Sequence, residues 1–104
     1  MDSANPPRSK VRTNFQLSDE EVIAHVAFNV VEVLGLCKDV IYPDPIGLIL
    51  FYDNLATAFG GDEELMRHWV SVGNRHLGYT PMLNVHIPMY LEEMNKYLEA
   101  FRYN

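Results

Sequence analysis

At 104 residues, 48% hydrophobic and 12% aromatic, the chain has the composition of one small folded domain and is neither a disordered segment nor a two-core protein. Its formal charge is −6, and beyond residue 13 there are 13 acids against 5 bases. That balance repels phosphate backbones and argues against nucleic-acid binding by the folded part.

A partner with a cationic surface or pocket is the natural electrostatic match. Cys37 is the single cysteine, so no intrachain disulfide can form and a reducing compartment fits. The longest apolar run, residues 46–52, is too short to span a bilayer, and no signal-type segment opens the chain. The expectation is a soluble cytoplasmic protein with no membrane contact.

Residues 1–16, with Pro6-Pro7 and scattered charge, read as a flexible N-terminal arm. Ser18-Asp19-Glu20-Glu21 is a capping box, and Val22, Ile23, Val26, Val30, Val33 and Leu34 recur at helical spacing. They predict a first helix to about Leu36, with a connector up to residue 43. Asp44-Pro45 starts a second helix, the aspartate as cap and the proline at the first helical position. This helix runs to about Phe59, with Ile46, Ile49, Leu50, Leu55, Ala56 and Phe59 available for burial.

Gly60-Gly61 ends that helix through a left-handed turn, and Asp62-Glu63-Glu64 opens a third whose positive dipole end favours the acids. Leu65, Trp69 and Val72 form its expected apolar stripe. Residues 73–80 are irregular, with Asn74 suited to organising a turn, and Pro81-Met82-Leu83 begins a short helical turn. Pro88 opens a last, amphipathic helix whose inner face is Leu91, Met94, Leu98 and Phe101. The whole is an all-α bundle of four to five helices.

Candidate chemistry is sparse. His25, His68, His76 and His86 fall in no metal-ligand pattern, and Asp62-Glu63-Glu64 is explained as a helix-start charge cluster. The same acids disqualify Gly60-Gly61 as a phosphate loop, and no nucleophile signature is present. The reading is an interaction protein and not an enzyme, with no cofactor and no metal. Trp69 is expected to pack in the core, its indole N–H turned to the following loop.

The run Gly60-Gly61-Asp62-Glu63-Glu64, Trp69, Asn74-Arg75, Leu77-Gly78 and Thr80-Pro81 resembles the toxin-binding domain of Xre/MbcA/ParS-type antitoxins. The likeness covers about residues 44–104. Gly73 stands where that family often has proline, and Tyr79 replaces a second glycine. The family's multi-helix helix-turn-helix domain has no counterpart in residues 1–43, where one helix is expected.

The resemblance implies a cognate toxin as partner, usually a RES-domain enzyme that degrades NAD, whose active-site mouth the antitoxin covers. It places the blocking end at Arg102, Tyr103 and Asn104, with Tyr103 and the carboxylate of Asn104 in a pocket built for a nucleotide. Arg75 and Tyr79 are further candidates for partner contact. Gly60, Gly61, Trp69, Asn74, Leu77, Gly78 and Pro81 are then structural marks of the domain. An immunity or adaptor protein for a secreted effector, and a DNA-binding regulator, are the alternatives. A homodimer stays open.

Overall fold

The computed structural model describes residues 18–102, with Arg102 as backbone alone. Within them the chain forms five α-helices and one isolated antiparallel bridge, Asn74 to Tyr79, so the all-α expectation holds. The helices are α1 (Asp19–Leu34), α2 (Pro45–Ala58), α3 (Glu63–Ser71), α4 (Pro81–Asn84) and α5 (Pro88–Arg102). The expected N-terminal arm lies outside the described residues.

Helix starts follow the side chains that can satisfy orphan N–H groups. Ser18 accepts from the Glu21 N–H at 3.1 Å while Glu21 Oε1 accepts from the Ser18 N–H at 2.8 Å, completing the capping box. Asp44 caps α2 by accepting from the Gly47 N–H, and Asp62 caps α3 by accepting from Glu64 and Leu65. Two helix ends follow glycine. Helix α1 stops at Leu34, two residues early, because Gly35 adopts φ 70° and the Leu36 N–H reaches back to the Val31 carbonyl. The Gly60-Gly61 turn stops α2 the same way, with the Gly61 N–H on the Ala56 carbonyl at 2.9 Å.

The buried faces differ from expectation in four helices, least in α5. In α2 the core stripe is Leu48, Phe51 and Leu55, with Gly47 and Asn54 beside it, while Ile46 and Leu50 are exposed. Helix α2 is apolar nearly all round, so its sequence does not choose a face; packing against α5 and α1 does. In α3 the core residues are Met66 and Val70, with Leu65 and Val72 exposed. In α1 only Ala27, Val30, Val31 and Leu34 are buried, and Val22 and Val26 stand off the core with Phe28. Leu91, Met94 and Leu98 of α5 are buried as expected, but Phe101 is half in solvent.

Helices α2 and α5 form the centre of the bundle and run in the same direction. Gly47 meets Leu91 and, further along, Asn54 meets Asn95. A Cβ at Gly47 would lie 3.0 Å from Leu91 Cδ2, which is why this position in the contact is bare. Asn95 donates to the Gly47 carbonyl and accepts from Asn54 Nδ2, both at 3.1 Å, inside the core.

Candidate functional site

Between α3 and α4 the chain must reverse in nine residues, and Asn74 organises the reversal. Its Oδ1 accepts from the backbone N–H groups of His76 at 2.9 Å and Leu77 at 3.0 Å. Its own N–H donates to the Tyr79 carbonyl, and its carbonyl accepts from Gly78 at 2.8 Å. Gly78, at φ 88°, supplies the left-handed step that closes the loop. Pro81 then starts α4 at its first helical position, buried against the core. Leu77 is half-buried and packs on the hydrophobic core.

Trp69 faces this loop across a cluster of rings. Its centroid lies 6.2 Å from Phe51 and 6.5 Å from Tyr97, the latter nearly parallel. Tyr97 stacks on His76 at 5.9 Å and meets Phe101 edge-on at 5.1 Å. Trp69 is half-buried and packs against the edge of the core, tilted to Phe51 and stacked on Tyr97. The cluster ties the loop tip to the last turns of α5, which neither helical periodicity nor the turn residues could announce.

Tyr79, expected at the partner face, is held within the molecule. Its hydroxyl donates to Glu93 Oε1 at 2.7 Å and its ring meets Tyr90 edge-on at 5.0 Å. Burial of the phenol, then the bond to Glu93 and its negative charge, raise the Tyr79 pKa far above the ordinary tyrosine value. Arg75 sits exposed at the loop tip. Tyr103 and Asn104, and the side chain of Arg102, lie outside the described residues; α5 carries the backbone toward them from Phe101.

Next to the ring cluster, between the ends of α2 and α5, is a groove of about 330 Å³. Its walls are Phe59, Trp69, Leu98 and Phe101, and its most buried polar residue is Asn54, 1% exposed. Asn54 Nδ2 is committed to Asn95, and its Oδ1 is buried with no partner. The amide orientation is dictated by the network: Asn95 must turn its NH₂ to the Gly47 carbonyl, so its oxygen faces the NH₂ of Asn54. A buried acceptor left unsatisfied costs about 1–3 kcal/mol. This orphan is not visible in sequence, because Asn54 is there one of several polar residues on a largely apolar helix.

Among the described residues no group of three or more His, Cys, Asp or Glu side chains is placed to hold a metal ion, and no helix is long and apolar enough to cross a membrane. No protein-family model matches the chain, and no curated protein matches it.

Proposed function

We propose that this chain is an antitoxin-like interaction protein that binds a cognate enzyme and occludes its active site, with a RES-type NAD-degrading enzyme as the partner class the sequence resemblance implies. The observation that carries the reading is the unity of the Gly60–Pro81 region. Most of the residues that bear the resemblance have a structural task in one junction: Gly60 and Gly61 turn the chain, Asp62 caps α3, Asn74 and Gly78 close the loop, and Pro81 restarts the helix. Trp69 joins that junction to α5 through Tyr97. A junction so specified sets where the C-terminal end of α5 emerges, which suits a protein that delivers a tail to a pocket.

The reading assigns inhibition to Arg102, Tyr103 and Asn104, and folding to the junction. A chain ending at Phe101 should keep its melting temperature within about 2 °C, since the truncated residues follow the last core side chain, Leu98. It should lose at least tenfold in inhibition of the enzyme encoded beside it, measured as NAD consumption by the purified pair. Full inhibition by the truncated chain sinks the tail assignment. Failure of any neighbouring gene product to copurify sinks the antitoxin reading itself.

A further inference from the structure

Where α2 and α5 run side by side, their outer surfaces leave a shallow trough of about 490 Å³. Its apolar floor is Gly47 and Leu50 from α2 with Pro88 and Met89 from α5. Met89 is 67% exposed, and Ile46, one turn before Leu50 and 63% exposed, widens the same surface. Helix α2 buries its Leu48 and Phe51 side, which leaves this second apolar stripe uncovered. The charge around it has one dominant sign. Asp44, Glu92 and Glu99 line the trough, and Asp53, seven residues on from Ile46, continues the exposed stripe of α2. Against these four acids stands Lys96, already 3.6 Å from Glu92. We propose that the trough docks an amphipathic helix of a partner protein, its apolar stripe on Ile46, Leu50 and Met89 and its flanking lysines or arginines on Asp53, Glu92 and Glu99.

The carboxylate rim decides among occupants. Phosphate backbones and anionic lipid surfaces are repelled by it. A second copy laid on this face by a two-fold axis would set four acids against the same four, with one further lysine. The other described helices of a second copy are no better suited. Helices α1, α2 and α4 contain no lysine or arginine, and Arg67 of α3 is held by the Val33 carbonyl beside Glu63. A basic helix of another protein meets both demands, since its apolar residues cover the floor and its cations complement the rim. The Lys96–Glu92 pair is more than two-thirds exposed on both sides, so it opens at little cost to admit a competing cation. This docking goes beyond the tail-mediated inhibition above and does not rest on it.

The probe is a helical peptide of about 14 residues, or four turns, with leucines at 3,4 spacing and lysines on both flanks. One counterpart carries glutamate for every lysine, and another has the same composition in shuffled order. Two-dimensional NMR of the ¹⁵N-labelled full chain follows the backbone signals of Leu50, Glu92 and Lys96. The lysine peptide is expected to shift these signals saturably, and both counterparts to bind at least tenfold more weakly. Leu50→Ser with Met89→Ser, both at exposed positions, should weaken binding at least fivefold. Glu92→Gln with Glu99→Gln should do the same. Asp19→Asn with Glu20→Gln removes as much charge from the exposed start of α1 and should change affinity less than twofold. A chain ending at Phe101 should bind as the full chain does.

Equal losses from the α1 pair and the α5 pair would reduce the effect to net charge and overturn the site. Equal binding of the shuffled peptide overturns the helical guest, and equal binding of the glutamate peptide overturns the role of the rim. Shifts confined to the groove at Phe28 and Tyr42, or to that at Trp69, overturn the location. A chain starting at Thr13 that binds tenfold more tightly shows the basic stretch Arg8, Lys10 and Arg12 as the native occupant and refutes the proposal. Self-association of the free chain that Leu50→Ser abolishes refutes it in favour of a second copy. Should the lysine peptide fail to bind while tail truncation still weakens inhibition, the docking surface falls and the antitoxin reading stands.

Discussion

Asn74 concentrates the loop's polar satisfaction in one side chain, since a single Oδ1 accepts two backbone N–H groups. Asn74→Ala leaves both without that acceptor, and we expect a loss of about 1–2 kcal/mol in urea unfolding. Arg75→Ala next to it, exposed at the tip, should cost nothing measurable in the same experiment. Equal losses for the two would mean that the loop is not organised by the asparagine. Tyr79 gives a second test with a defined sign. Its pKa is raised in the folded chain, so the neutral phenol stabilises the fold at every pH below the unfolded value, about 10, and that contribution is lost as pH rises above it. Wild type should therefore melt above Tyr79→Phe at pH 8, and the gap should narrow from pH 10 upward; parallel pH curves would contradict a phenol pKa raised by burial and by Glu93.

At the scale of helices, the boundaries were legible wherever a cap or a glycine pins the chain. Ser18, Asp44, Asp62, Pro81 and Pro88 each begin a helix or cap one as their side chains dictate. The apolar repeat of α1 continues to Leu36, two residues past the left-handed stop that Gly35 imposes after Leu34. Which face each helix buries was less legible. In α2 apolar residues occupy every side, so the choice between Ile46/Leu50 and Leu48/Phe51 depends on the partner helix. That contact rests on Gly47, where a methyl group would meet both the capping Asp44 carboxylate and Leu91. Gly47→Ala gains about 1 kcal/mol of helix propensity, but losing the cap and crowding α5 should leave it about 1–2 kcal/mol less stable by thermal unfolding. A rise in melting temperature would show that α5 can back away.

The candidate site divides along the same line. The junction residues from Gly60 to Pro81 were legible because turns and caps are local, and their chemistry follows from neighbours in sequence. The ring cluster of Trp69, His76, Tyr97 and Phe101 and the amide pair Asn54 with Asn95 were not, because the first forms only when α3, α5 and the loop converge and the second only when α2 meets α5. The bond of Tyr79 to Glu93 was illegible for the same reason: the two lie fourteen residues apart in sequence.

Taken whole, the molecule carries a formal charge of −6 with most of its cations outnumbered beyond the first thirteen residues. Long-range attraction to a cationic partner accelerates encounter, and salt screens it over about 8–10 Å. The association rate with a copurified partner should fall several-fold between 50 and 300 mM salt (probe concentrations), with a smaller change in the dissociation rate, as stopped-flow mixing would read. A salt-independent association rate would place recognition in apolar contacts alone.

The amide of Asn95 holds the Gly47 carbonyl and the side chain of Asn54, two points seven residues apart along α2. Sliding α5 by one turn, about 5.4 Å, would unmake both bonds at once and strand their polar atoms in the core. A purely apolar seam would resist such a slip only through shape. The pair thus acts as a detent between two parallel rods, and the distance from the Trp69 junction to the last turn of α5 is a counted quantity. Substitutions that enlarged the core but removed this pair would leave a bundle free to settle one turn out, with the last turn of α5 displaced from the Trp69 junction.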